Sequence, residues 1–259
     1  MRVTIIGSGN IATVFGRILF ENGHSILQVF SRNAVHADEL AKQIGARSVS
    51  DLNMINTNAD LYLLTVTDDA LASVADKLLL KDKLVVHTAG SVSKEILKTV
   101  SSRYGVLWPM KMIRKSMTSL IPVTIVVDGS SEAVTVQIEQ LARQFSPSVT
   151  RADDSLRIKM HMLAAITSNF TNHLYHLAAD YCAREKIDFS FFYPLIEETA
   201  QRIQTIHPEM VQAGPAFRSD LQTLDKHRLL LEQYPQMQKL YLEMSASIQE
   251  SFGKERDKK

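Results

Sequence analysis

Cysteine is nearly absent from this sequence, since Cys182 is the only one among 259 residues. One thiol cannot form an internal disulfide, which suits a reducing compartment such as the cytoplasm. An excess of charge is also absent: 29 basic and 28 acidic residues leave a net charge of +1, which argues against a general nucleic-acid or membrane-surface binder. Apolar runs of about 18 residues, which a membrane-spanning helix needs, are missing too. We therefore expect a cytoplasmic protein whose partners include neither nucleic acid nor a membrane.

Several motifs of metal binding and nucleophilic catalysis are missing as well. The Cys and His residues do not have the spacing of a zinc site, the histidines lack the HExxH arrangement, and the G-x-S-x-G elbow of serine hydrolases does not occur. We predict no metal site and no Ser–His–Asp hydrolase. The length of the chain is sufficient for two domains, each with its own core.

What the sequence does have is a glycine turn at its start. Residues 2–12 read RVTIIGSGNIA, an apolar β-branched run followed by G-x-G-x-x-A and a helical period. Gly7 permits a tight turn off the strand, Gly9 leaves room for a pyrophosphate, and Ala12 lets the helix pack closely on the strand. The first amides of the helix would face the phosphates. The pattern predicts a dinucleotide site rather than the alternative, a tight turn without a ligand. The predicted cofactor contacts here are Gly7, Ser8, Gly9, Asn10 and Ile11.

Strand-like and helix-like segments then alternate up to residue 145. The strand-like segments are 3–6, 26–30, 59–66, 84–87, 105–108 and 123–127, and the helix-like segments are 13–21, 34–44, 69–80 and 132–145. This alternation is typical of an α/β fold with a doubly wound, Rossmann-type parallel sheet. From Leu156 to Phe252 only helical periodicity remains. We predict a dinucleotide-binding domain over residues 1–152 and a second, all-α domain over residues 153–259.

The end of the second strand indicates which dinucleotide binds. NAD sites place Asp or Glu there to bind the ribose hydroxyls, whereas this chain reads Ser31-Arg32-Asn33. A hydroxyl and a guanidinium can bind a 2′-phosphate that a carboxylate would repel. We predict NADP as the cofactor; the alternative for Arg32 is an ordinary surface position. The predicted neighbours of the cofactor are Ser31, Arg32, Asn33 and, at the end of a buried strand, Val66 and Thr67.

The strand over residues 84–87 also ends in polar residues. The segment His87-Thr88-Ala89-Gly90-Ser91 places an imidazole, two hydroxyls and a flexible backbone where the nicotinamide end of the cofactor should lie. His87 is a candidate general acid, because an imidazole titrates near neutrality. Its alternative is a hydrogen bond to the backbone alone. Thr88, Gly90 and Ser91 are candidate substrate contacts.

A long helix is predicted to begin after Asp153 and to run to about Lys186. On a wheel of about 100° per residue, one face is apolar and the other is polar but uncharged. Residues 160–179 contain no Asp, Glu, Lys or Arg, so we expect both faces to be covered. The polar stripe supplies the candidate catalytic residues His161 and Asn169 and the candidate substrate contacts Ser168 and Asn172, each of which is also compatible with a structural role.

Five segments follow one another in an order that resembles a known family. They are GSGNIA, LLTVTDDAL, HTAGS, HMLAAITSNF and AGPAFRSDLQTLDKH. The sequence looks like a bacterial family that joins a Rossmann-like domain to a helical C-terminal domain of unknown function, commonly labelled NADP-dependent oxidoreductases. It is more distantly similar to the 6-phosphogluconate dehydrogenase superfamily, which includes pyrroline-5-carboxylate reductase and the β-hydroxyacid dehydrogenases. The resemblance implies NADP in the first domain and a homodimer formed through the helical domain.

The sequence departs from these relatives at two points. The β-hydroxyacid dehydrogenases carry a catalytic Lys four residues before an Asn, and Ala165 stands at that spacing from Asn169. The motif that usually reads Arg-Gly-Asp is Arg218-Ser219-Asp220 here. With His227, its charged residues form either a polar cluster facing the cleft or the dimer partner, or an interhelical salt-bridge network.

We therefore predict that the chain transfers a hydride between NADP and a small carbonyl, imine or alcohol. His87 or His161 would exchange the proton, and Asn169 would orient the substrate. The alternative is a catalytically silent NADP-binding sensor or scaffold, which the missing Lys favours. A purely structural dimerisation protein would bind no nucleotide.

Overall fold

The computed structural model describes residues 1–253, and its N-terminal part is built on one eight-stranded sheet. The strands are β1 (Arg2–Ile6), β2 (Ser25–Phe30), β3 (Arg47–Val49), β4 (Leu61–Leu64), β5 (Lys81–His87), β6 (Ser101–Pro109), β7 (Thr124–Gly129) and β8 (Ser148–Arg151). Their order across the sheet is β3-β2-β1-β4-β5-β6-β7-β8. Neighbouring strands are parallel except β6 and β7, which run antiparallel. The predicted Rossmann-type sheet is confirmed.

Helices connect most of the strands and then make up most of the chain from Asp154 to Gly253. Those before β8 are α1 (Asn10–Glu21), α2 (Ala34–Gln43), α3 (Asp68–Ala75) and α4 (Glu132–Ala142). Those after it are α5 (Asp154–Ala164), α6 (Thr171–Glu185), α7 (Tyr193–Arg202), α8 (Pro215–Arg218), α9 (Leu221–Leu230) and α10 (Pro235–Gly253). In the described part of the chain no strand follows Arg151, so the predicted helical half is confirmed.

The central strands lie in the middle of the sheet because they are apolar along their whole length. Every residue of β4 is buried, and so is every residue of β1 after Arg2. Continuous apolar runs are typical of parallel strands that helices cover on both faces. The carboxyl ends of β1, β2, β4 and β5 therefore share one edge of the sheet, where such folds bind their ligands.

The sequence analysis predicts neither β3 nor β8. The two strands are three and four residues long, and they lie at the two edges of the sheet. Hydrophobic periodicity cannot mark strands of this length. Each depends instead on a neighbour that offers its backbone groups, β2 for β3 and β7 for β8.

By its internal contacts the chain divides into two compact units, Met1–Thr167 and the residues from Ser168 onward. The sequence analysis places the border at residue 152, where the strands end. Helix α5 nevertheless belongs with the sheet, because Met160 packs against a buried cluster that includes Trp108. The change from strands to helices and the division by contacts thus lie at different points of the chain.

The long helix occupies residues 154–185, but it is not a uniform α-helix. Ala165–Phe170 form a π-helical segment between α5 and α6. A π segment widens the helical turn, so a wheel of constant angle does not carry across it. The wheel that places His161 and Asn172 on one polar face assumes the α-helical angle throughout, and the structure departs from that angle over Ala165–Phe170.

The expectation that both faces of this helix are covered is also wrong for the single chain. Seven of its larger apolar side chains are between 39% and 62% exposed: Leu156, Ile158, Met162, Leu163, Ile166, Phe170 and Leu174. Within residues 1–253, no helix has the length and hydropathy needed to cross a bilayer.

Candidate functional site

The chain leaves β1 through Gly7, a position that only glycine fits. Gly7 has a φ of +132°, and a Cβ there would lie 2.4 Å from Thr65 Oγ1. Its N–H donates to the Phe30 carbonyl at 2.8 Å. Because Phe30 ends β2 and Thr65 follows β4, this one glycine brings three strand ends together at the carboxyl edge.

Gly9 is different, because it faces open space. It is the N-cap residue of α1, and among the described residues no side chain caps that helix. A Cβ built on Gly9 would meet no described atom within 4 Å. The first amides of an α-helix have no partner within the helix. An uncapped helix start that a ligand can approach freely is suited to an anion such as a pyrophosphate.

The end of β2 is joined to the glycine turn by side chains. Ser8 Oγ donates to Ser31 Oγ at 2.8 Å, and Ser31 Oγ accepts from the Asn33 amide at 3.2 Å. Asn33 Oδ1 accepts from the Val35 amide at 3.0 Å and thereby caps α2. Arg32 is exposed beside this pair of hydroxyls. Asn33 therefore has a capping role in addition to any contact with a cofactor.

A cleft of about 860 Å³ opens over these residues. Sites for small molecules and cofactors have volumes of about 300–1,000 Å³. The predicted cofactor residues that line it are Gly7, Ser8, Gly9, Ser31, Arg32, Asn33, Val66 and Thr67. Asn10 and Ile11 do not line it, and their amides lie in the first turn of α1 instead.

The other wall of the cleft consists of residues that the sequence patterns did not predict. Part of it is Ser50–Asn53, which follows β3 and went unnoticed because that strand was not predicted. The rest is Ala70, Ser73, Val74 and Lys77. Their spacing of three, four and seven residues marks one face of a helix that starts at the edge of the cleft. That spacing was the signal that could have found them.

His87 ends β5, and its side chain is fully buried. Its Nδ1 accepts a hydrogen bond from the Ala89 amide at 3.2 Å. Burial, and then the positive charge of Arg157, lowers the pKa of His87 to about 4, so the ring is neutral at pH 7. The buried ring has no access to a substrate in solvent. Because it is neutral, it also lacks the imidazolium proton that a general acid donates. The structure argues against His87 as the proton donor and favours the alternative, a hydrogen bond to the backbone.

The predicted substrate contacts after His87 differ in their access to solvent. Thr88 is 4% exposed, and its amide donates to the Leu64 carbonyl at 3.2 Å. Its side chain is therefore not available to a substrate. Ser91 is exposed, and its hydroxyl donates a short hydrogen bond to Asp68, in the first turn of α3. Of the two hydroxyls, only that of Ser91 lies at the surface.

Gly90 lies between two aromatic rings. A Cβ at Gly90 would come within 2.5 Å of His161 Cδ2 and 2.7 Å of Trp108 Cε2, so a side chain does not fit. The ring centroids of Trp108 and His161 are 5.5 Å apart and the rings are tilted by 54°. Trp108 is buried, whereas His161 is half-buried. His161 is thus a histidine that α5 holds at the carboxyl edge of β5, next to a predicted substrate contact.

The remaining candidates of the polar stripe belong to the second unit. Ser168 and Asn169 lie in the π-helical segment and Asn172 lies in the first turn of α6. All three are exposed. Segments of π-helix occur frequently at functional sites. Sequence periodicity gives no signal for such a segment, which is why it was missed.

The segment around residue 219 has structural partners inside the helical unit. Asp220 caps α9, accepting from the amide and the hydroxyl of Thr223 at 3.1 and 2.7 Å. His227 Nδ1 and the Tyr241 hydroxyl share a hydrogen bond of 2.7 Å. Ser219 has a φ of +56°, in the left-handed region that favours glycine. This explains why the related motif carries glycine at that position.

Two family descriptions match this chain, one in each half. Residues 2–90 match the family described as NADP oxidoreductase, coenzyme F420-dependent. Residues 123–248 match a domain of unknown function, DUF2520. Among curated proteins, none matches this chain.

Solved structures are similar over nearly the full length. A putative NADP oxidoreductase from Bacteroides fragilis is 34% identical with a TM-score of 0.89, over 96% of this chain and 98% of that one. A pyrroline-5-carboxylate reductase from Streptococcus pyogenes is 14% identical with a TM-score of 0.67, over 96% and 98%. An imine reductase from Myxococcus stipitatus in complex with NADP+ is 14% identical with a TM-score of 0.69, over 97% and 94%. At 14% identity, the last two show a likeness of fold alone.

Proposed function

The chain belongs to the family that joins an NADP oxidoreductase domain to a DUF2520 domain, and from this premise we propose that it transfers a hydride between NADP and a small carbonyl, imine or alcohol. The observation that carries the proposal is the open approach to the uncapped start of α1 at Gly9. This approach lies in a cleft of about 860 Å³ whose far end carries Arg32 where NAD sites carry a carboxylate. A solved structure of similar fold was determined with NADP+.

The residues of the cleft fit such a cofactor. The α1 amides would bind the pyrophosphate, and Ser31 and Arg32 would bind the 2′-phosphate. Val66 and Thr67 would contact the cofactor at the end of β4. Bound NADPH would supply a hydride to the carbon of a carbonyl or an imine.

His161 is our candidate for the group that gives the matching proton to the oxygen or nitrogen of the substrate. It lies against Gly90 at the end of β5 and is half-buried, whereas His87 is sealed off. Histidine is the side chain that most often acts as a general acid. Ser91 is exposed and uncharged, and we propose it as a hydrogen-bonding group for the substrate. Ser168, Asn169 and Asn172 are exposed and uncharged too, and their contact with a substrate stays a prediction from the sequence.

The second candidate function is an NADP-binding sensor or scaffold without turnover. The observation that favours it is Ala165, which stands where the β-hydroxyacid dehydrogenases carry their catalytic Lys. Both functions require the cofactor, so only the measurement of turnover separates them.

We further propose that the protein is a cytoplasmic homodimer. The apolar side chains exposed along α5 and α6 support a second copy as the covering surface, since exposed apolar patches mark protein–protein contacts. The single cysteine supports a reducing compartment.

The test is to titrate the protein with NADPH and NADH and then to follow NADPH oxidation with small cyclic imines, oxo-acids and oxo-acid–amine mixtures. We expect tight NADPH binding and oxidation with at least one substrate. His161→Phe should bind NADPH normally but lose turnover, while His207→Phe, a change at an exposed histidine, should be active. Binding without turnover on any substrate would support the sensor, and failure to bind either nucleotide would overturn both functions.

A further inference from the structure

A buried arginine lies on α5, one helical turn before His161. Neither the sequence motifs nor the proposed function gives it a role. Arg157, on α5, is 1% exposed and is the largest fully buried side chain. Its Nη2 donates to the Val92 carbonyl at 2.5 Å and to Asp154 Oδ1 at 2.6 Å. Within residues 1–253, its Nε and Nη1 have no hydrogen-bond partner. A buried cation with two free donor atoms is expensive to keep, so its retention calls for a reason.

Two partners of Arg157, the Val92 carbonyl and Asp154, join α5 to one short segment of chain, Val92–Lys94. Asp154 accepts from the Lys94 amide at 3.2 Å and receives a short hydrogen bond from the Ser93 hydroxyl. Burial raises the pKa of Asp154, but the hydrogen bonds from Ser93 and Arg157 outweigh burial and lower it overall. The carboxylate therefore stays charged beside the guanidinium. The first turn of α5 is in this way fastened to the loop that follows Gly90.

The network extends to β7. Lys94 Nζ lies 2.6 Å from Asp128 Oδ2, and Arg157 Nη1 lies 4.0 Å from the same oxygen. The order of charges is Asp154, Arg157, Asp128 and Lys94, so each charge has a neighbour of opposite sign. Alternation of this kind compensates for the desolvation of the individual charges but adds little net stability.

What the network does fix is the distance between two segments of chain. Arg157 and His161 are four residues apart on α5, so they lie on the same face of the helix, one turn apart. Arg157 binds the loop at Val92, and His161 contacts the same loop at Gly90. Two successive turns of α5 thus contact the same stretch, residues 90–94. One turn does so through the charge network of Arg157, and the other through His161, the candidate proton donor.

We propose that Arg157 is a positioning residue, which holds His161 in place against Gly90 and Trp108 through its bonds to Val92 and Asp154. This role rests on the proposed function in one respect only, namely that His161 is the proton donor. A long side chain whose planar guanidinium holds its donors in a fixed fork is suited to the task. Lys at the same position would keep the charge but could not bind both acceptors in the same geometry.

The chain offers an optical readout of this geometry. Trp108 is the only tryptophan, and its ring lies 5.5 Å from the ring of His161. An imidazole packed against an indole alters the fluorescence of the indole, so replacing His161 by Phe should change Trp108 emission. This emission change, between a chain and the same chain carrying His161→Phe, reports how closely His161 is held to Trp108.

The experiment compares Arg157→Met and Arg157→Lys with the native chain and with Arg151→Met, a matched control at an exposed ion pair of β8. We expect both Arg157 variants to lose at least half of the emission change, while the control retains it. NADPH affinity should stay within about threefold of the native value, and kcat on any substrate found should fall far more than KM rises. Full retention of the emission change in Arg157→Lys would overturn the proposal.

If Arg157→Met does not fold, Arg157→Lys and Ser93→Ala decide the question, because both keep the buried charge. Ser93→Ala removes one tie between Asp154 and the loop and should reduce the emission change in part. The readout is independent of turnover. A chain that binds no NADPH would refute the proposed function, and the emission of Trp108 would still decide whether Arg157 positions His161.

Discussion

Ser8, in the glycine turn, donates its hydroxyl hydrogen to Ser31, at the end of β2, across 2.8 Å. Ser31 in turn accepts from the Asn33 amide, so the hydroxyl pair is fixed on both sides. In dinucleotide-binding folds this is where the ribose of the adenosine lies. The pair is neutral and can accept or donate, so a 2′-phosphate meets no repulsion there, and the adjacent Arg32 can neutralise it.

Replacement of Arg32 by Asp should therefore change the choice of cofactor. A charge-assisted hydrogen bond to phosphate contributes about 1.5–3 kcal/mol, so NADPH affinity should fall by roughly 100-fold while NADH affinity changes by less than about threefold. Binding is measured by titration of Trp108 fluorescence or by calorimetry. Arg47→Asp, at the exposed first residue of β3, is the matched control for the change in net charge. Equal loss of both nucleotides would contradict the role of Arg32.

The two glycines of the turn should fail in different ways when changed to alanine. At Gly7 the new Cβ would clash with Thr65 in a backbone conformation that side chains rarely adopt, so Gly7→Ala should reduce stability by about 3 kcal/mol or more. At Gly9 the Cβ meets no atom of the described chain, so Gly9→Ala should have the same melting temperature as the native chain. It should nevertheless bind NADPH at least about tenfold more weakly. Calorimetric melting and NADPH titration of both variants give the comparison. A stable Gly7→Ala chain, or normal NADPH binding by Gly9→Ala, would contradict this account.

The buried His87 should make stability depend on pH. The folded chain takes up its proton near pH 4, whereas the unfolded chain takes it up near pH 6.5. Between these values the unfolded state binds more protons, so stability is full above pH 6.5 and declines as the pH falls toward 4. The loss should reach about 3 kcal/mol.

His87→Asn is the corresponding variant, because its Oδ1 can accept the hydrogen bond from the Ala89 amide. Denaturant unfolding at several pH values should show a much shallower decline for this variant than for the native chain. Asp60, whose pKa is lowered to about 2 by its hydrogen bonds with Arg2, changes protonation largely below this window. An identical slope in both proteins would show that His87 is not the source.

The exposed apolar residues of the long helix predict that one charge will disrupt self-association. Phe170 is 62% exposed, and Phe170→Asp should convert a dimer into monomers in analytical ultracentrifugation, because a buried unpaired carboxylate strongly destabilises an interface. Leu79→Asp, which alters a residue 71% exposed in the sheet-containing unit, should leave the dimer intact. A native chain that sediments as a monomer at micromolar concentration would refute the proposed dimer.

The features that the sequence could locate are those specified by local rules. Gly7 and Gly9 could be assigned separate tasks because a turn and a phosphate place separate demands on the backbone. The continuous apolar run of β4 identified a buried parallel strand. Arg32 could be located by counting from the glycine turn to the end of the next strand.

The parts that were missed depend on distant residues. His87 and His161 looked equivalent in the sequence, but α5, some 70 residues after β5, contributes to the surroundings that bury one and leave the other half-exposed. Arg157 gave no signal, since its partners at residues 92, 128 and 154 meet only in the folded chain. The π-helical segment eluded a wheel that assumes one constant angle.

The reversal of direction between β6 and β7 has a practical consequence for dissecting this protein. The first family segment ends at residue 90 and the second begins at residue 123, immediately before β7. A fragment that ends before residue 123 would lack β7, the strand that pairs with Gly105–Pro109 of β6. It would leave β6 as an apolar strand with unsatisfied backbone groups. Such a fragment should aggregate. The strands that complete the sheet, β7 and β8, both come after the start of the second family segment. A fragment designed to be soluble therefore has to extend through β8.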